Sequence, residues 1–199
     1  MTNTVPYAQS PFNKSRKDKF LLVLNFPDSL KSISKKIERN NVSILPDSIQ
    51  FSVYGAIVPD IDIPATNIPY AGQTYVASSH VRPPYAACTV NFTIDNRFNN
   101  YWAIYKWLNI LNDSKTGLVD NENILATAKT NNLKYAADIS IFALDEYDKR
   151  VVEFVYNNAF PTSLGGIDFN NRDGGEIETS FTFNYSKLLV SLVETVDSL

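Results

Sequence analysis

The most constraining pattern in this chain is an alternation of apolar and polar residues over two segments, 88–94 and 176–185. Successive side chains of a strand point to opposite faces of a sheet, so this period of two predicts strands with one dry and one wet face. Strands of this kind are typical of antiparallel sheets. The residues expected to face the core are Val90, Phe92, Ile94, Ile177, Thr179, Phe181, Phe183 and Tyr185.

Four more segments are predicted to be strands, because they are rich in apolar and β-branched residues and are bounded by turn residues. They are residues 19–26, 48–55, 135–144 and 150–156. The last two flank the polar turn of residues 145–149, which indicates a hairpin. The fold class is therefore predicted to be mainly β, as an antiparallel β-sandwich or open barrel with one flanking α-helix.

The flanking helix is predicted over residues 98–111, where aromatic and aliphatic residues recur at helical spacing. The side-chain oxygen of Asp95 or Asn96 is expected to cap its first turn. Two adjoining apolar stripes are predicted, Phe98, Trp102, Tyr105 and Leu108 in one and Ile104, Trp107 and Leu111 in the other. Such a helix is too apolar to stand alone, so we expect it to pack on the sheets.

The chain is predicted to form one domain, because 199 residues that are 44% hydrophobic suffice for a core of ordinary size. We expect an N-terminal arm over residues 1–18, the β domain over 19–187 and a C-terminal extension over 188–199. The extension is predicted to be helical, because Leu189, Leu192, Val193, Val196 and Leu199 fall on one helical face. Short helices are also predicted over residues 29–41 and 122–129.

A proline-rich stretch interrupts the domain at residues 58–84. Proline has no N–H to donate to a central ladder, so this stretch is predicted to leave the sheet as an edge excursion or a projecting arm. Long loops of this kind are usually functional or disordered. The apolar residues that favour a docked arm over a floppy one are Ile61, Ile63, Ile68, Tyr70, Tyr75 and Val76.

The net charge of −3 conceals an uneven distribution. Residues 1–40 contain eight Lys and Arg against three acidic residues, whereas residues 41–199 contain ten against eighteen. Nucleic-acid binding draws its affinity from basic residues that neutralise phosphates. Because most of the chain is acidic, a uniformly basic nucleic-acid-binding surface is not expected. A basic start and an acidic body suit contacts between copies of the same chain. A single cysteine and the lack of a long apolar run predict a cytoplasmic protein without membrane association.

Residues that carry enzymatic chemistry are scarce in this sequence. His80 is the only histidine, and a structural role is expected for it because it lacks catalytic partners. Cys88 has no CxxC neighbour and is expected to be a packed thiol. Asp60 and Asp62 share one side of an extended segment and are expected to be solvated, with pairing at an interface as the second interpretation. We therefore predict no catalytic residues, no metal site, no cofactor and no enzymatic activity.

Three segments follow one another in an informative order. The first segment is a strand that runs into the proline-bearing arm, SIQFSVYGAIVPDIDIPATNIPYAGQTY. The second is a strand followed by an Asp and an aromatic helix, TVNFTIDNRFNNYWAIYKWLNIL. The third contains two strands around a Pro-Thr loop and an Asp-bearing loop, RVVEFVYNNAFPTSLGGIDFNNRDGGEIETSFTFNY. Together they resemble the tail tube proteins of contractile-tailed bacteriophages, which are related in fold to the tube proteins of type VI secretion. The resemblance covers residues 20–185.

The resemblance implies six-membered rings that stack into a tube, with sheets of neighbouring subunits merged into a barrel around a channel for DNA. It also implies a place in the virion tail, with the sheath, the baseplate hub and the tape-measure protein as partners, and DNA that passes without specific binding. Residues expected to face the channel are Asn91, Thr93, Glu178, Ser180, Thr182 and Asn184. Residues expected to contact other subunits are Ile61, Ile63, Ile68, Tyr70, Tyr75, Leu192 and Val196, besides the basic N-terminal region.

Three alternatives stay open at this point. Residues 29–41, 120–134 and 188–199 look like additions to the family pattern, so the chain is either the repeating tube subunit or a specialised ring at the baseplate or the tail terminus. A ligand-binding or carbohydrate-binding β-sandwich would need exposed aromatic residues gathered in a cleft. An enzyme would need titratable groups that converge in a pocket.

Overall fold

The computed structural model describes residues 14–27, 30, 53–117, 135–172 and 174–193. Within these ranges the chain forms nine strands and the helix α1. In chain order they are β1 (Phe20–Leu24), β2 (Val53–Ala56), β3 (Ala65–Tyr70), β4 (Gln73–Ser78), β5 (Cys88–Thr93), α1 (Asn99–Leu111), β6 (Ala137–Leu144), β7 (Arg150–Leu164), β8 (Glu178–Asn184) and β9 (Lys187–Leu192).

Seven of these strands form two antiparallel sheets that share one strand. Sheet A has the order β1-β6-β7-β9, and sheet B has the order β7-β8-β5-β2. The first half of β7 pairs with β6 and β9, and its second half pairs with β8. Side chains from both sheets and from α1 form a single apolar core. The predicted fold, antiparallel and mainly β with a flanking helix, is confirmed.

Strand β7 is longer than predicted, because it continues from its expected end at Tyr156 to Leu164, into the segment 159–166 that we expected to form a loop. Its second half contains Pro161, which is buried opposite Phe183 of β8. Proline is tolerated there because this half of β7 is an edge strand of sheet B. Between the two halves Asn158 has a φ of 53°, and its amide donates to Asp138 Oδ1 at 3.0 Å. This irregularity lets one strand serve two sheets.

The predicted alternation in β5 and β8 is confirmed. Cys88, Val90 and Phe92 are buried on β5, and Phe181 and Phe183 are buried on β8. The rings of Phe92 and Phe181 meet edge to face with centroids 6.0 Å apart. Because full burial of such a side chain contributes about 1.5–3 kcal/mol, this face is a main source of stability.

Helix α1 packs on the core mainly through the second of its two predicted stripes, of which Ile104 and Trp107 are buried. The buried residues are Asn100, Ala103, Ile104, Trp107 and Ile110. Tyr105, which we placed on the apolar stripe, is exposed. Trp107 anchors the helix, because its indole N–H donates to the carbonyl of Tyr135 at 2.7 Å and its ring packs on Phe26. The buried face also includes Asn100, which was not predicted and whose Nδ2 donates to a β5 carbonyl at 2.8 Å.

The helix predicted for residues 188–199 is wrong over its described part, which forms strand β9. Leu188 pairs with Tyr156 and Leu192 with Val152, so β9 extends sheet A. The apolar run of residues 187–192 is compatible with the spacing of a helix and with that of a strand. It forms a strand because the edge of β7 is available to pair with it. The helices predicted over 29–41 and 122–129, apart from the buried Leu30, lie outside the described residues, as do residues 1–13, 48–52 and Val196.

Candidate functional site

The proline-rich stretch forms a hairpin that projects from the sheets. Within the described ranges β3 and β4 pair with each other alone, with Ile68 opposite Tyr75. Ala71 and Gly72 join the two strands with φ values of 49° and 79°. Two successive residues with positive φ are what a type I′ hairpin turn requires. We call residues 57–87 the arm and β3–β4 its hairpin.

The arm exposes its apolar residues to solvent. Every residue from 60 to 76 is exposed, and the exposed fraction reaches 69% for Tyr70 and 71% for Val76. A lone two-stranded hairpin is marginally stable in water, and a contiguous exposed apolar surface indicates a protein interface. Five of the seven residues predicted to contact other subunits lie on this arm: Ile61, Ile63, Ile68, Tyr70 and Tyr75.

The base of the arm contains a groove of about 350 Å³ between its two extended legs. Ile57, Tyr85 and several prolines form its apolar wall, and Asp60, Asp62 and Arg82 contribute charges of both signs. Asp60 and Asp62 are exposed, as predicted. This mixture of apolar and charged groups suits contact with another protein surface.

The six residues predicted to face a channel lie together on the face of sheet B that points away from the core. In the β5–β8 ladder Asn91 is opposite Ser180, and Thr93 is opposite Glu178. Thr182 and Asn184 continue the same row along β8. The hydroxyl groups of Thr89 and Thr182 are hydrogen-bonded across the two strands at 3.1 Å. We call this surface the wet face of sheet B.

The wet face carries a carboxylate and no basic side chain among its six predicted residues. Tyr54, on the neighbouring strand β2, donates its hydroxyl to Glu178 Oε2 at 3.1 Å. Desolvation and this hydrogen bond raise the pKa of the Tyr54 hydroxyl. A surface of hydroxyls, amides and carboxylates does not neutralise phosphates.

Several strand edges have no partner within the described part of the chain. They are β1 and β9 in sheet A, and β2 and residues 160–164 of β7 in sheet B. Unpaired edges present free N–H and C=O groups that can pair with another chain. Leu192, one of the predicted contact residues, lies on the edge strand β9, where it is 78% exposed, and not on the arm.

Cys88 is buried beside two tyrosine hydroxyls, as expected for a packed thiol. Burial raises the pKa of the Cys88 thiol. Burial likewise raises the pKa of the hydroxyls of Tyr156 and Tyr185, whose rings lie 4.9 Å apart. Among the described residues, no three His, Cys, Asp or Glu side chains are grouped to hold a metal ion. No helix in those ranges is long and apolar enough to cross a bilayer.

An aromatic pair at the end of sheet B was not predicted. Phe169, in the loop between β7 and β8, is 72% exposed, and its ring lies 6.4 Å from that of Phe98. Phe98 precedes α1 with a φ of 58°, which is unusual for a bulky residue. Just before it, the carboxylate of Asp95 accepts the amide of Asn99 at 2.7 Å, which confirms Asp95 as the first-turn acceptor. The one sequence signal for the pair is an isolated Phe in an Asn-rich and Asp-rich loop.

Solved structures share this fold at low sequence identity. The tube-terminating cap of the anti-feeding prophage matches with a TM-score of 0.58 and 14% identity, over 92% of this chain and 95% of that chain. The sheath-tube complex of an extracellular contractile injection system, PVC, matches with a TM-score of 0.53 and 12% identity, over 97% and 100%. The anti-feeding prophage baseplate matches with a TM-score of 0.55 and 11% identity, over 92% and 98%.

Family comparison agrees with the resemblance in the three sequence segments. A family model described as phage tail tube protein matches residues 15–191, which is almost the whole described chain. No curated protein matches the chain significantly. The chain therefore belongs to the phage tail tube protein family and is a structural component of a tail.

Proposed function

We propose that copies of this chain close into a six-membered ring through the open edges of sheet B. The observation that carries this proposal is that sheet B combines two unpaired edges with a wet face. If β2 of one copy pairs with residues 162–164 of the next copy, beyond Pro161, which has no N–H to donate, the ladder continues from subunit to subunit. A ring closed in this way has no free edge in sheet B.

In such a ring the wet face of sheet B lines a channel through which DNA passes. Asn91, Thr93, Ser180 and the other polar residues hydrate the wall, while Glu178 repels phosphates. A conduit works best when DNA does not bind to it, because each neutralised phosphate strengthens binding. The polar lining therefore supports passage without specific binding.

Rings stack into a tube through the arm, whose exposed apolar residues are buried against the next ring. Transfer of that surface out of water contributes about 25 cal/mol per Å² of apolar area. Repetition of one contact around every ring makes the stacking strong even if each contact is modest. Surface ion pairs between the basic N-terminal region and the acidic body add little, typically below about 1 kcal/mol each.

The tube has protein partners on its outside, at its ends and in its channel. These are the sheath, the baseplate hub and the tape-measure protein, and support comes from the sheath-tube and baseplate assemblies that share the fold. We further propose that the rings assemble in the host cytoplasm before they enter the virion. Their role is structural and involves no catalysis.

The ring proposal is tested with the full-length protein over a range of concentrations. Light scattering after size exclusion is expected to give the mass of a hexamer, and negative-stain microscopy is expected to show rings with a central hole and tubes. Deletion of residues 61–75 is expected to preserve the circular dichroism spectrum and the rings but to abolish the tubes. Monodisperse monomers whose melting temperature shifts with a sugar would contradict the proposal and favour a binding module.

The exposed strand β9 favours a second candidate, a specialised ring at the baseplate or the tail terminus. Leu189, Val190 and Leu192 are exposed there and offer an apolar edge to a different protein. Microscopy separates the two candidates, because a repeating subunit polymerises into long tubes. A specialised ring stops after one or two layers.

A further inference from the structure

The arm and the Phe98–Phe169 pair lie at opposite ends of sheet B. The arm enters β5 at Cys88, whereas Phe98 follows the other end of β5, and Phe169 lies in the loop that leads into β8. In the ladder Cys88 pairs with Phe183 and Thr93 with Glu178, so the two ends are separated by the whole strand. A strand of this length measures on the order of 20 Å.

Stacking of identical rings head to tail brings these two ends together. In a heterologous contact one surface of each copy meets a different surface of the next copy. The face of the hairpin with Ile68, Tyr70 and Tyr75 is apolar, and residues 63–81 contain no Asp, Glu, Lys or Arg. Its acceptor must therefore be an exposed apolar surface at the end of the sheet away from the arm.

The Phe98–Phe169 pair has the properties of such an acceptor. A phenylalanine that is 72% exposed in a polar loop leaves its ring in water in the isolated chain. Phe98 keeps a left-handed backbone, which is strained for a bulky residue, while its ring contacts Phe169. Strain of this kind persists where function requires it. The exposure of Phe169 and the left-handed backbone of Phe98 are both independent of the topology that places the aromatic pair at the end of sheet B opposite the arm.

Both surfaces carry charged residues of both signs, since Arg82 also lies on the arm. Arg97 and Arg172 are exposed beside the aromatic pair, while Asp60 and Asp62 are exposed on the first leg of the arm. Asp168 also lies in the acceptor loop, so the net electrostatic contribution is small. Exposed ion pairs favour the orientation of the contact more than its strength.

We propose that the hairpin of one copy docks on the Phe98–Phe169 pair of a copy in the adjacent ring. Ile68 and the Tyr70–Tyr75 pair cover the ring of Phe169, which takes both apolar surfaces out of water. This inference rests on the proposed stacking of rings and identifies the surface that accepts the arm.

A pair of matched serine variants tests the acceptor. Phe169→Ser removes the exposed ring, and Tyr147→Ser removes an equally large exposed ring, 61% exposed, from the turn between β6 and β7. Both variants are expected to form rings, but Phe169→Ser is expected to need at least tenfold more protein to form tubes. Tubes that form at the wild-type concentration with Phe169→Ser would overturn the inference.

Disulfide trapping supplies a second test that does not depend on weakened assembly. The double variant Ile68→Cys/Phe169→Cys is assembled, oxidised and then denatured without reductant. The control is the double variant Ile68→Cys/Tyr147→Cys. The native Cys88 is buried and so does not compete for the introduced thiols in the folded chain. Docking between rings is expected to give a ladder of covalent oligomers that continues past the number of subunits in one ring. A ladder that ends at the ring number, or no ladder from material that forms tubes, would overturn the inference. Wild-type protein that forms neither rings nor tubes would overturn the proposed function instead.

Discussion

Gly165 occupies a position where one additional methyl group collides with sheet B. Its amide donates to the carbonyl of Ser180 at 2.7 Å. A Cβ at this position would lie 2.7 Å from Thr179 Oγ1 and 3.0 Å from the carbonyl oxygen of Ser180. The adjacent Gly166 has open space around the corresponding position. The two glycines, which look identical in sequence, therefore have different structural constraints.

We predict that Gly165→Ala lowers the free energy of unfolding by about 1–3 kcal/mol, since the backbone of β8 must move to admit the methyl group. Gly166→Ala, the matched control, is expected to change it by less than about 0.5 kcal/mol. Urea denaturation followed by tryptophan fluorescence, at one protein concentration, measures both. Equal effects of the two substitutions would show that the close approach at Gly165 is unimportant.

The buried tyrosines beside Cys88 predict a loss of stability in alkali. The pKa of the hydroxyls of Tyr156 and Tyr185 is raised in the folded chain, mainly by burial. An unfolded tyrosine ionises near pH 10, where the folded one keeps its proton. The unfolded state then binds fewer protons, so the stability that these two neutral hydroxyls contribute is fully present below about pH 10 and is lost as the pH rises further. The Cys88 thiol, whose pKa is also raised by burial, acts in the same direction from about pH 8.5, where an unfolded thiol ionises.

Denaturation at intervals between pH 8 and 11 checks this prediction. Tyr156→Phe removes one of the two tyrosine titrations and is expected to give a shallower decline than the wild type, while Tyr185 and Cys88 are present in both proteins. A decline of the same slope in Tyr156→Phe would assign the alkaline loss to other groups.

Single residues also show where sequence patterns lose their power. The alternation in β5 and β8 identified the core face correctly, because a period of two leaves only one set of side chains to bury. Asn100 was missed because a buried amide is satisfied by a specific carbonyl, which no pattern encodes. Phe169 was missed because an isolated aromatic residue in a loop has no period at all.

At the scale of elements, the strand lengths depend on partners that are distant in sequence. β7 runs through Pro161 because β8 supplies a ladder for its second half, and residues 187–192 are a strand because β7 supplies an edge. Neither partner is visible from local propensity. The β6–β7 hairpin was predicted, since its strands flank a polar turn, whereas the β3–β4 hairpin of the proline-rich stretch was not.

The type I′ turn of the arm allows its hairpin to be strengthened or weakened without contact with the core. Ala71→Asn is expected to stabilise the turn, because Asn adopts the left-handed conformation more readily than Ala, whereas Gly72→Ala is expected to weaken it. Hydrogen exchange of β3 and β4 amides should slow in the first variant and accelerate in the second. A free-energy penalty of about 1 kcal/mol for a left-handed residue corresponds to roughly a fivefold change in the exchange rate of these amides. Equal exchange in all three proteins would show that the turn does not control the hairpin.

At the scale of the whole molecule, the described chain is an incomplete unit whose edges and arm lack partners. The charge distribution argued against a uniformly basic nucleic-acid-binding surface, and the order of the three segments indicated the family, which the family model confirms. The surface proposed to accept the arm could not be predicted, because Phe98 and Phe169, which follow β5 and β7, come together only in the folded chain. The proposed contact between copies therefore depends on tertiary structure more than on any motif.

The proposed channel yields a prediction about charge. Asn184 is exposed on the wet face of sheet B, so Asn184→Lys adds one cation per subunit to the lining without loss of a core contact. Assembled tubes of this variant are expected to retain short double-stranded DNA and to protect it from nuclease, with retention that falls steeply as salt rises. Wild-type tubes and Tyr147→Lys tubes, which carry the added charge on a turn away from the wet face, are expected to give no protection. DNA that is bound outside the tube remains open to nuclease, so protection reports DNA inside the channel. Two results would place the wet face elsewhere than in the channel: equal protection by both lysine variants, or no protection by the Asn184→Lys tubes.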